Sequence, residues 1–157
     1  MENELPSKLG RRIERFLRSA RLRYIIDQDG DYHVALRLDE DNLRMHIIFM
    51  CEGLRGEILS ILIRFEGKIP QFSFEEALQK ANEWNLTRRW PRIYWKEGYF
   101  YGDFHLDTEL NISYKALAQN ILHVIVASAQ FLMYITGRET GLIEEIKRHM
   151  VAILRLN

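Results

Sequence analysis

The chemistry open to this chain of 157 residues rests on five histidines, one cysteine and two acidic runs. His33, His46, His105, His123 and His149 include no pair at metal-ligand spacing. His33 and His46 flank a polar turn, so a hairpin would bring them close, with Cys51 further along the second strand. A Cys–His nucleophile also needs a group to orient the imidazole and donors to hold an oxyanion, and no motif provides them. Cys51 therefore reads as a small hydrophobe or an exposed thiol at a strand end. The run Asp27-Gln28-Asp29-Gly30-Asp31 invites a calcium loop, which needs Gly sixth and Glu twelfth. Here Gly30 is fourth and Leu38 twelfth, and Asp29-Gly30 reads as a two-residue hairpin turn instead. Asp103, His105 and Asp107 share one face of a strand by alternation and read as a solvated edge. Gly53-Leu54-Arg55-Gly56 fits neither a phosphate-cradling loop nor a dinucleotide fingerprint. No catalytic residue, metal ligand or cofactor is expected, and the chain reads as non-enzymatic.

Arginine interleaved with aromatics gives a denser candidate surface: Trp84, Arg88, Arg89, Trp90, Arg92, Tyr94, Trp95, Tyr99 and Tyr101. Such a set can face a sheet, bind a protein or stack the bases of a single strand. Lys+Arg and Asp+Glu both number 22, so the net charge is zero, which weighs against nucleic acid and anionic membranes. Trp90, Arg92, Tyr94, Trp95, Tyr99 and Tyr101 are accordingly candidate partner-binding residues, the partner being an unknown protein. A single-stranded nucleic acid on the same hairpin is the alternative, and a Cys51-dependent enzyme ranks last. A partner surface requires Tyr94 or Trp95 to be exposed.

The elements that must position these residues follow from periodicity. Leu9, Ile13, Phe16, Leu17 and Ala20 form one helical face behind Pro6-Ser7. Tyr24–Ile26, Tyr32–Leu38, Leu43–Met50 and Ile58–Phe65 read as four strands without helices between them, hence an antiparallel meander. Ser73 and Glu76 make a capping box, and Ala77, Leu78, Ala81 and Trp84 form the stripe of a second helix. Asn82 and Asn85 near its end read as structural caps rather than ligand-binding residues. A hairpin around Glu97-Gly98 follows, then a long helix from Ser113 and an amphipathic tail. The fold class is α+β, an antiparallel sheet flanked by helices in the order α-β-β-β-β-α-β-β-α-α. Residues 1–137 form the domain, and 138–157 form a helix that packs on it or on a second subunit.

Residues 116–137 contain no Asp, Glu, Lys or Arg, and are long enough to span a membrane. Gln119, Asn120, His123, Ser128 and Gln130 interrupt the stretch, so it reads as a buried soluble helix. A helix with no charged side needs cover all round, which predicts a homodimer. The interface residues would be Leu122, Ile125, Ala129 and Leu132, with Ile143, Ile146, Met150, Ile153 and Leu154 of the tail. Residues 1–26 are basic and 27–41 acidic, predicting mutual compensation. A lone cysteine and a charged N-terminus without an apolar core place the protein in the cytoplasm.

Segments Leu22–Asp27, Ala77–Asn85 and Arg89–Tyr94 resemble the YbjN family, whose fold is that of type III secretion chaperones. The likeness covers residues 8–136 and is nearest to the cyanobacterial branch. The resemblance implies a chaperone-like fold, dimerisation, and regulation by holding another protein across the sheet. No catalytic motif comes with it.

Overall fold

The structure, a computed structural model, describes residues 7–38, 42–138, 144 and 148. Ser7 caps α1 (Lys8–Ser19) by accepting from the Gly10 amide at 3.0 Å, and Leu9, Ile13, Phe16 and Leu17 bury the expected stripe. Strands β1 (Ile25–Ile26), β2 (Tyr32–Arg37), β3 (Arg44–Glu52) and β4 (Ile58–Glu66) follow. Then come α2 (Phe74–Thr87), β5 (Arg92–Lys96), β6 (Tyr99–Asp107) and α3 (Tyr114–Thr136). This is the α+β order read from the sequence as far as α3. The expected tail helix lies outside the described residues, apart from 144 and 148.

All pairings are antiparallel, in the order β1-β2-β3-β4-β6-β5. The first four strands form the predicted meander, and β6 then docks against β4. Register aligns Val34, Ile47, Ile63, Gly102 and Ile93 in one row across five strands, and every member is buried. Helices α1, α2 and α3 cover this face. Phe131 of α3 lies at its centre, with ring centroids 5.0 Å from Phe65, 5.2 Å from Phe100 and 5.3 Å from Trp84. Gly102 gives room for the approach of β5, because a Cβ there would sit 3.1 Å from Pro91 Cγ and 3.3 Å from Ile93 Cδ1.

The β5 edge is closed by α2. Asn85 Nδ2 donates to the Ile93 carbonyl and its Oδ1 accepts from the Ile93 amide, both at 2.9 Å. Trp84 Nε1 donates to the Pro91 carbonyl at 3.1 Å. Asn85 thus has a structural role, though its partner is the next strand and not the end of its own helix.

Several expectations change. Leu78 leaves the buried stripe and is 45% exposed, because Ala77, Ala81 and Trp84 already fill the narrow contact face and Leu78 lies about 100° around the helix from Ala77. The acidic β1–β2 connection is a five-residue loop, residues 27–31, rather than a two-residue turn. Asp27 Oδ1 accepts from the Asp29 and Asp31 amides at 3.0 and 2.9 Å, which fixes the longer loop. Asp103 is paired with both β4 and β5, whereas residues 104–107 pair with β4 alone, so the solvated-edge reading holds for exposed His105 and Asp107 and not for Asp103. Arg18 finds its acid in Glu14 of its own helix at 2.7 Å, not in the acidic loop.

Leu122, Ile125, Ala129 and Leu132 are between 0% and 3% exposed, so their own chain covers them and they offer no surface to a second copy. The uncharged helix is long and apolar enough to cross a membrane by length and composition, yet most of its apolar window is packed inside this domain.

Candidate functional site

The other face of the sheet carries no helix among the described residues. Its middle row runs Ile25, His33, Ile48, Leu62, Asp103 and Arg92, and the next row Ala35, His46, Arg64, Tyr101 and Tyr94. Ile48, Leu62 and Met50 are half-buried at the centre, and polar clusters surround them.

The first cluster joins the hairpin residues. His33 Nε2 lies 2.7 Å from Asp27 Oδ2, and His33 Nδ1 lies 3.0 Å from His46 Nε2. An ionised carboxylate only accepts, so His33 Nε2 carries the proton and a neutral His33 accepts from His46 at Nδ1. The His33 bond holds the Asp27 carboxyl below its ordinary value, with the Asp31 amide helping. Burial holds His46 below the ordinary histidine value, reinforced by His33 and Arg64. Among the described residues no group of three His, Cys, Asp or Glu side chains is placed to hold a metal.

A second cluster crosses β3, β4 and β6. Ser60 is fully buried, bonded to Glu52 and 2.8 Å from His105 Nδ1, while His105 Nε2 lies 3.7 Å from Asp103. The chain Ser–His–Asp has the composition of a hydrolytic triad but not its chemistry. The one Ser60 proton goes to the Glu52 carboxylate, so His105 donates to the serine where a general base would accept. Central β4 also spends its backbone amides on β3 and β6, leaving no oxyanion donors beside Ser60.

Arg92 grips Asp103 with two bonds, Nε–Oδ1 at 3.0 Å and Nη2–Oδ2 at 2.6 Å. Glu66 takes both Arg44, at 2.6 Å, and Arg64. Burial pushes Glu66 up, but the two guanidinium groups outweigh it and hold the carboxyl below its usual value. Tyr94 stacks on Tyr101 with centroids 5.6 Å apart, and Arg64 lies over Tyr99 at 5.4 Å.

The predicted partner-binding set therefore divides. Arg92, Tyr94, Tyr99 and Tyr101 share the open face, where Tyr94, like Trp95, is half-buried and falls short of the expected exposure, and Tyr99 instead is the exposed aromatic at 46%. Trp95 packs edge-on against Phe100 at 4.7 Å on the helix side, and Trp90 stacks on His123 of α3. Strand alternation separates them, which is a correction to their grouping as one patch. Cys51 is likewise five residues from His46 and on the opposite face, so no Cys–His pair forms. Burial pushes its thiol up, against the nucleophile reading, although a Ser7 hydrogen bond pulls the other way.

Comparison with known families matches residues 10–135 to YbjN, described as "Putative bacterial sensory transduction regulator". The chain belongs to the YbjN family. The match is to the family as a whole, not to a branch of it, and a comparison with curated proteins finds no match. Its role is accordingly regulatory and non-catalytic. In this YbjN-family chain the His33–His46 approach was legible from the hairpin. The Ser60–His105 contact was not, because it depends on β6 pairing with β4 across an intervening helix and strand. Only outward alternation of each residue within its own strand hinted at it.

Proposed function

We propose that the chain is a chaperone-like adaptor that regulates by holding a partner protein on the open face of its sheet. The observation that supports this is a six-stranded sheet with helices on one face only among the described residues, whose other face has an apolar centre at Ile48 and Leu62. Tyr94, Tyr99, Tyr101 and Arg92 border that centre, residue types enriched where proteins bind proteins. A single-stranded nucleic acid fits less well. Arg92 is held by Asp103, and Arg44 and Arg64 by Glu66, so phosphates would have to displace carboxylates. The same proposal has the protein working in the cytoplasm as a homodimer. The tail stripe Ile143, Ile146, Met150, Ile153 and Leu154, outside the described residues, would join the copies, with light scattering at micromolar concentration as the check.

A photo-crosslinking residue at Tyr101 should capture the partner in source-cell extract, while one at exposed Glu75 of α2 should not. Leu62→Glu should abolish capture with the circular dichroism unchanged. Equal capture from Glu75, or undiminished capture in the Leu62→Glu background, removes the reading.

A further inference from the structure

We propose that a groove on the helix side, between the Thr87–Trp90 loop and the outer surface of α3, binds an acidic segment of a partner protein. The groove is open, about 490 Å³, and lined by Arg88, Arg89, Trp90, His123, Val126 and Ala127 among others. It runs on into a hollow of about 340 Å³ lined by Glu83, Trp84 and Tyr134, the two sharing Thr87, Arg88 and Gln130, and the Glu83 carboxylate there is taken up by Gln79 and Tyr134.

Charge decides what fits. Arg88 and Arg89 are exposed, and among the described residues neither is ion-paired, whereas Arg18, Arg44, Arg55, Arg64 and Arg92 each have a carboxylate. The α3 wall cannot neutralise them, because residues 116–137 hold no Asp or Glu. Arg88 lies 5.2 Å from the Trp84 ring, and a guanidinium held over an aromatic ring keeps its fork of donors for a carboxylate. Between the charges, half-buried Val126, Ala127 and Trp90 form an apolar floor suited to an aliphatic side chain. The complement is therefore a peptide with carboxylates flanking an apolar residue.

A nucleic acid is the poorer match. Trp90 is already stacked on His123, at 6.3 Å with 9° between the planes, and edge-on to Phe104, so it offers little free ring to a base. Two adjacent cations also make a point of attachment and not a track along a phosphate backbone. The groove lies across the sheet from the open face, so this proposal and the sheet-face reading fail separately.

Fluorescence anisotropy on the full chain tests it, with a fluorescein-labelled peptide in which leucine is flanked by glutamates. The peptide should bind, and a matched peptide with glutamine for glutamate should not. Arg88→Glu/Arg89→Glu should weaken binding by about tenfold or more. The milder Arg88→Gln/Arg89→Gln should weaken it less, and Lys115→Glu, away from the groove, should leave it unchanged. No binding of the glutamate peptide, or equal binding by both double variants and the parent, overturns the proposal. Tighter binding of a labelled oligothymidylate at the same salt concentration also overturns it and makes the groove a nucleic-acid site.

Discussion

Asn85 does with one side chain what a neighbouring strand would do with its backbone, satisfying both polar groups of Ile93 at the sheet edge. Asn85→Ala should cost roughly 1–3 kcal/mol, because a donor and an acceptor lose their partner together, and urea midpoints will show it. The residue was visible in the sequence as part of a helix-end motif, but its partner was not, since an Asn side chain carries no mark of where it reaches. His46 and Asp27 make a pH prediction. The folded chain holds His46 below its ordinary 6.5, so the unfolded chain takes the proton first as pH falls from that value. Stability from His46 is thus full above 6.5 and lost below it. Asp27 acts in the same direction lower down, its contribution present above 3.8 and lost as pH falls toward its depressed folded value. The urea midpoint should drop from about pH 7 to about pH 5, and His46→Gln should shrink that drop. Arg44, Arg64, Glu66 and His33 face the same imidazole and keep their places in the comparison. Iodoacetamide should label Cys51 in the native protein more slowly than a cysteine peptide, as its raised thiol requires.

At the scale of elements, the hairpin β5–β6 shows how far the sequence could be read. Glu97 and Gly98, with φ of 51° and 82°, form the two-residue turn that Glu-Gly between aromatic runs announces. Alternation then dictates that Trp95 and Tyr94 face opposite ways, which the density of aromatics concealed. Which face each takes depends on β6 meeting β4, a non-local pairing with no local signal. Gly102 records instead the approach of β5, since Pro91 and Ile93 sit where its side chain would be. Gly102→Ala should cost about 1–3 kcal/mol by overpacking, read as a lower melting temperature with the same fold. The basic first helix behaves differently. Arg18 pairs with Glu14 along the exposed surface, and Arg15 lies over the Tyr114 ring at 3.9 Å. Neutralising Arg11, Arg15 and Arg18 together should lower the melting temperature only slightly, each exposed contact being worth about 0–1 kcal/mol.

At the scale of the whole molecule, the class and element order were legible because each strand and helix shows its own period. The cover over α3 was not. A helix without charge invites a second subunit, yet here the sheet and the chain's own packing leave Leu122, Ile125, Ala129 and Leu132 buried. The two edges of the sheet also differ, and this sets a limit on growth. On β5, the Ile93 amide and carbonyl and the Pro91 carbonyl are occupied by Asn85 and Trp84; at the opposite edge, β1 presents Ile25 and Ile26, 70% and 51% exposed. Strand-to-strand polymerisation needs two live ends per copy, one to give and one to receive. With Asn85 blocking the β5 edge at Ile93, β1 is the more open end, and β1 joined to β1 is symmetrical and finishes at two copies. Asn85→Ala reopens the second end, and multi-angle light scattering should then find species larger than two. A single amide side chain would thus act as a chain terminator, separating a regulator that can pair from one that forms fibres.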